Sequence, residues 1–444
     1  NLVSGTNIID IMTTNTLGTT NNPYWTDTVI VQTVPLPPAN FGKIAPNGIV
    51  LWANNAILTW NTSFGAANYA YCYDITNDGA CSNWINVGTQ TNATINGLTQ
   101  ETAYYWQVHA SNNFGITYAD NNIFWMFNSG TPLSNVKLVV PNGLSSGTCS
   151  SWQYACDLKY AFTQVISGNE IWVAAGTYTP GTLQVDTFQL KNGVAVYGGF
   201  TGAETSRNQR DALHHITILS GDLAHNDLPN FVNKNDNCYH VVTGSGTDNT
   251  ALLDGFTISG GYANSSTPNN FGGGIFNVSG NPTLNNLIFS GNVARMGGGG
   301  GMYNEYSSPL MTNILFDNNL AEKHSSWGGW GGGIYNAMSS PVLKNIMFSS
   351  NQAISLENGS GGWGGAIYNY QSSPTFTNTT FYSNQAGSGG GVFNNQSNPL
   401  FTNATFSENT VNVLPGWSGG AGGGIFNQDS NPEIRNSILW GNTA

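Results

Sequence analysis

The 444-residue sequence predicts an all-β chain that ends in a parallel β-helix. Three observations carry that prediction. A block motif recurs six times after residue 260 without a slip in register, short period-2 apolar runs fill the chain, and these runs are bounded by Gly, Asn and Pro. At this length more than one folding unit is expected.

Composition narrows the functional class. Charged residues make up 8% of the chain, against about a quarter in an average soluble domain, so the surface must be built largely of Asn, Ser and Thr. The 39% hydrophobic fraction, with 13 Trp, 19 Tyr and 21 Phe, is enough to bury a core despite 56 Gly. Eleven Lys and Arg against 23 Asp and Glu give a net charge of −12. That balance lacks the basic footprint for nucleic acid or anionic lipid. No run of 18 apolar residues offers a membrane span, and the N-terminus has no charged-then-apolar leader. The expectation is a secreted, extracellular or cell-surface chain whose signal peptide has been removed.

The five cysteines read as two short-range pairs plus one. Cys72 and Cys81 flank a turn-like segment, and Cys149 and Cys156 stand seven apart. Two disulfides, Cys72–Cys81 and Cys149–Cys156, fit an oxidising compartment, with Cys238 left over; the alternative is five buried thiols.

Residues 1–34 form an N-terminal strand or linker segment with two β-like runs, 7–12 and 28–33. Two strands bury no core alone. They pair either with their own chain or, by strand addition, with another copy.

Residues 35–132 alternate in short strands at 56–60, 69–75, 92–95, 103–110 and 123–127, the spacing of a β-sandwich. This stretch resembles a fibronectin type III domain. Trp60 matches the buried Trp of the second strand, Leu98, Tyr104, Trp106 and Val108 match the tyrosine-corner strand, and 112–115 matches the loop that follows. The resemblance implies a spacer or interaction module. His109 has no second ligand at metal spacing and reads as a packed or surface histidine.

Residues 261–444 hold the six blocks. With the Asn of Gly-Gly-x-Ile-Phe/Tyr-Asn as position 0, the blocks start at Asn277, Asn304, Asn336, Asn369, Asn394 and Asn427, although two carry Met302 or Val392 in place of Ile. Pro follows at +5, Asn returns at +9 (Asn286 to Asn436), and a large apolar residue stands at +12 (Phe289, Phe316, Phe348, Phe381, Phe406, Leu439). Asn closes each block at +15, as Asn292, Asn319, Asn351, Asn384, Asn409 and Asn442. All length variation falls between +15 and the next Gly-Gly, as in a solenoid with loops outside a fixed coil. Stacked coils about 4.8 Å apart would put Asn at 0, +9 and +15 into hydrogen-bonded ladders in tight bends, and Phe at +12 into an internal stack. Gly-Gly would supply positive φ, and positions such as Leu310, Ile314 and Phe316 would share one strand face.

The repeats resemble those of chlamydial polymorphic outer-membrane proteins, with Gly-Gly-Ala-Ile at 364–367 and Phe-x-x-Asn at 289–292, 316–319, 348–351, 381–384 and 406–409. That resemblance implies a surface-displayed right-handed β-helix and, by analogy, adhesion. Residues 133–260 read as its cap and entrance coils. A short amphipathic helix at 156–165 covers the open edge, followed by strands at 170–178, 194–200, 216–220, 239–243 and 252–258.

Many β-helices cleave polysaccharides with paired acids or calcium carboxylates, which need charged residues on adjacent coils of one face. The few charges of the six blocks form no carboxylate column by register; Lys344 and Arg435 share +8 on non-adjacent coils. A denser group, His214, His215, Asp222, His225, Asp227 and Asp236, reads either as a metal or acid–base site or as a solvated loop with turn-forming Asp. Neither catalytic residues nor a metal or cofactor is accordingly expected. Trp327, Trp330, Trp363 and Trp417 stand among glycines in the variable loops. In a row they would stack on sugar rings or another subunit, or else fold over and seal the coil. The reading is a structural or adhesive surface rod, self-associating into filaments or binding cell-surface glycans or proteins. A carbohydrate-binding module and a polysaccharide lyase or hydrolase are the alternatives.

Overall fold

The computed structural model describes residues 36–51, 55–130, 135–323, 329–355, 361–412 and 421–444. Residues 1–34, Trp327 and Trp417 lie outside them. Contacts divide the chain after Pro132 into two units.

The first unit is a two-sheet sandwich. Lys43–Ala45, Asn55–Trp60 and Asn92–Asn96 form one sheet. Val50–Leu51, Trp125–Ser129, Thr102–Asn112, Asn68–Asp74 and Ile85–Gly88 form the other, with Gly115–Tyr118 paired to Thr102–Asn112. Trp60, Trp106, Val108 and Phe127 fill the space between them. The Thr99 N–H donates to the Tyr104 hydroxyl at 2.8 Å, which ties the turn to the strand as a tyrosine corner does. Cys72 is bonded to Cys81.

The second unit is a right-handed parallel β-helix. Each strand pairs with a parallel neighbour one coil away, in three stacks of 14, eight and six strands, and right-handed crossover is the rule for that connection. Its head is capped by the helix Leu158–Gln164, N-capped by Asp157, whose Leu158, Ala161 and Phe162 cover the first coils. The Cys149–Cys156 disulfide fastens that cap.

Each coil is left-handed at +2, +9 and +14, as at Met338 (φ 49°), Asn345 (φ 56°) and Ser350 (φ 56°), and at the −5 Gly. Asn at 0 and +15 is therefore not in the bend itself, contrary to the sequence reading; only the +9 Asn is. The +9 corner also shifts the alternation by one residue. Met311 at +7, Ile314 at +10 and Phe316 at +12 are buried, while Leu310 at +6 is 42% exposed. Leu310 thus does not share a core face with Ile314. The same corner splits 252–258 into Leu252–Asp254 and Thr257–Ser259, because Gly255 takes φ 87° between them.

The Phe column at +12 stacks nearly parallel, with centroids 4.4 Å apart for Phe289–Phe316, 4.9 Å for Phe316–Phe348, 5.1 Å for Phe348–Phe381 and 4.4 Å for Phe381–Phe406. Gly331 at −5 has φ +62°, and a Cβ there would meet the Ile334 carbonyl at 2.0 Å. Only glycine fits that approach.

Candidate functional site

Two surfaces of the solenoid face outward along its length. The first is an aromatic column at −1. In each block position −2 points inward, so −1 points out: Phe276, Tyr303, Tyr335, Tyr368, Phe393 and Phe426 stand above one another. Trp330 and Trp363, both at −6 and bridged to each other, lie against this column. Trp330 stacks on Trp363 (6.5 Å) and Tyr368 (6.3 Å), and Trp363 on Phe393 (5.4 Å). Lys323 caps Trp330 with Nζ 4.4 Å from the ring centroid. Tyr335 and Tyr368 beneath are 9% and 4% exposed, and burial raises the pKa of both phenols. Both Trp residues are half-buried, with ring faces engaged within the chain. The −1 alternation was visible in the motif, but only with its parity assigned does it mark an outward column.

The second surface is a lateral groove of about 590 Å³ at the +9 corner, which sequence reasoning missed. Its floor is the +11 column of Ile288, Leu315, Met347 and Thr380, with Ile288 38% and Met347 40% exposed. One wall is the +9 Asn column. There Asn313 Nδ2 donates to Asn286 Oδ1 (3.1 Å), Asn345 to Asn313 (2.9 Å) and Asn378 to Asn345 (3.1 Å). The head of the groove is formed by Leu213 and Ile216. Among the described residues, no Asp, Glu, His, Cys, Lys or Arg lines it. Its chemistry is carboxamide plus apolar surface. Nothing in it transfers a proton near neutral pH.

The two buried Asn ladders serve the core instead. At position 0, Asn304 Nδ2 donates to Asn336 Oδ1 and Asn336 to Asn369, each at 2.9 Å. At +15, Asn319 donates to Asn351 and Asn351 to Asn384, each at 2.9 Å. The bonds run toward the C-terminal coil in these ladders and toward the N-terminal coil at +9. Ser at +3 adds a further column, from Ser307 N–H to Ser339 Oγ and from Ser339 N–H to Ser372 Oγ, each at 2.9 Å.

The entrance cluster is spent on turns. Asp222 accepts from the Asn226 and Asp227 N–H groups, Asp227 pairs with Lys234 (2.7 Å), Asp236 accepts from Ala224 N–H, and His214 pairs with Asp211 (2.6 Å). Among the described residues no three His, Cys, Asp or Glu come together to hold a metal. Cys238 is buried, and desolvation pushes its thiol up to about 12, so it is not a ready nucleophile. One charge pair does superpose by register: Arg295 and Glu322 share +18 on adjacent coils and form an ion pair at 3.1 Å. No helix among the described residues is long and apolar enough to cross a membrane.

The family model of the Chlamydia polymorphic membrane protein repeat matches residues 313–337 and 345–370. Each stretch begins at a +9 Asn and runs through the next Gly-Gly-x-Ile block. The repeat region is similar to that family. Among solved structures, the pectate lyase Pel9A aligns over 68% of this chain and 78% of its own, with 14% identity and a TM-score of 0.34. A family 28 exopolygalacturonase of Yersinia enterocolitica aligns over 90% and 98%, with 11% identity and a TM-score of 0.19. An Fn3-like protein from Clostridium thermocellum covers 22% of this chain and 95% of its own, with 24% identity and a TM-score of 0.16. No curated protein matches the chain.

Proposed function

We propose that the chain is a secreted, surface-displayed adhesive rod, and that the +9 groove is its contact surface for an uncharged, extended glycan. The observation that carries this reading is an apolar floor beside a wall of carboxamides, with no ionisable side chain among the described residues of the lining. Carboxamides orient neutral hydroxyls while the apolar strip takes ring faces. Coils about 4.8 Å apart repeat both elements at a spacing that a chain of like units can follow. The two disulfides and the repeat match support a surface location. The sandwich is read as a fibronectin type III-like spacer.

The same lining argues against a lyase or hydrolase, since acid–base cleavage requires at least one positioned titratable group. Incubation with a polysaccharide panel, followed by both pull-down and product analysis, tests the reading. Retention of a neutral polymer without released sugar supports it. Released oligosaccharide makes the chain an enzyme.

A further inference from the structure

The sandwich core holds a lysine that its packing does not explain. Lys43 is 5% exposed, with Nζ between the Trp106 and Trp125 rings at 5.6 and 5.3 Å. Nζ donates to Gln107 Oε1 (2.7 Å), to the Ile123 carbonyl (2.9 Å) and to Asp120 Oδ2 (3.1 Å). Replacing such a buried ion pair by apolar side chains is often neutral or stabilising, so stability alone is a weak reason for it.

The neighbours of Lys43 form a set with its amine. Gln107 is fully buried, its Oε1 also accepts from the Val108 N–H at 2.9 Å, and its Nε2 is held by the carbonyls of Ala119 (3.3 Å) and Ile123 (3.2 Å). Together these groups supply a nucleophile, a fixed carboxamide, a carboxylate in contact with the nucleophile and an N–H donor on the carbonyl oxygen. The amine is hydrogen-bonded to the oxygen carried by the carbon it would attack. Desolvation lowers the Lys43 pKa, against the opposing pull of Asp120, and so favours the neutral amine.

We propose that Lys43 and Gln107 condense into an intramolecular isopeptide bond, with Asp120 carrying the proton. Asp120 takes a proton from Nζ, and the freed lone pair forms the Nζ–Cδ bond while the carbonyl π pair moves onto Oε1 beside the Val108 N–H. Asp120 returns its proton to Nε2. The oxyanion pair re-forms the carbonyl, the Cδ–Nε2 bond breaks, and Nε2 leaves as ammonia. Asp120 then takes the surplus proton from Nζ and is left neutral. No oxidant or co-reactant is needed. The bond ties Lys43–Ala45 to Thr102–Asn112, which belong to opposite sheets, so the sandwich gains a covalent brace against being pulled apart.

The test is the intact mass of the purified full chain, denatured and reduced. The expected mass is one ammonia below that of the sequence, with a branched peptide joining the Lys43 and Gln107 fragments after digestion. Lys43→Met and Asp120→Asn should each restore the full mass. A folded wild-type chain at its full sequence mass overturns the proposal, as does ammonia loss that persists in Lys43→Met. A cross-link that still forms in Asp120→Asn overturns the role given to Asp120.

Discussion

Asn351 gives both its backbone N–H (3.0 Å) and its side-chain Nδ2 (2.9 Å) to one oxygen, Oδ1 of Asn384. Asn384 Nδ2 in turn donates to the Phe348 carbonyl (3.0 Å) and to Asn409 Oδ1 (2.9 Å). Both donors and both acceptor sites of this fully buried carboxamide are filled. No other side chain of that size offers the same set, which is why Asn recurs at +15 in every block.

Asn384→Leu should therefore lower stability by about 3–5 kcal/mol, since it leaves the Phe348 carbonyl and the Asn351 N–H buried without partners. Asn369→Leu should cost less. Asn369 makes two ladder bonds, to Asn336 and Asn394. Denaturant melts of the two variants check the order, and equal losses would contradict it.

At +9 the demand is conformational rather than polar. Asn345 is exposed with φ 56°, so Asn345→Gly should be nearly neutral. Asn345→Val should lose about 1–2 kcal/mol to left-handed strain. Thermal unfolding of the pair decides, and a tolerated Val would mean the corner is not fixed by this residue.

The Phe column predicts a cavity cost. Phe348 is fully buried between Phe316 and Phe381, and Phe348→Ala should destabilise by about 3–5 kcal/mol. Phe348→Leu should retain more of that stability. Equilibrium unfolding in urea measures both.

His240 predicts a pH dependence. Its ring is buried against Phe276 (centroids 4.7 Å), and burial lowers its pKa below 6.5 despite the Gly272 carbonyl, which favours the charged form. Protonation therefore opposes folding. Stability should be full above pH 6.5 and fall as the solution is acidified toward the lower folded value. Melts at several pH values should show this slope in the wild type, and His240→Asn should flatten it.

The six-block register was legible because each core position asks for one residue type: Asn where four hydrogen bonds meet, Phe where rings stack, Gly where Ile334 leaves no room for a Cβ. The lateral groove was not legible. It depends on the parity change at the +9 corner, which turns Leu315 and Met347 outward beside buried Ile314 and Ile346, and a period-2 count carried straight through Asn313 assigns Leu310 to the wrong face. The Trp loops were ambiguous for a related reason. Only the coil geometry determines that Trp330 and Trp363 meet the −1 aromatics rather than solvent.

The most direct test of the adhesive account is binding of the full chain to immobilised neutral and acidic polysaccharides, with Leu315→Asp and Met347→Asp beside the wild type. Both positions are on the groove floor and outside the core. The account predicts selective retention on neutral polymers and at least a tenfold loss (about 1.4 kcal/mol) in either variant with unchanged melting. Undiminished binding by both folded variants would contradict it.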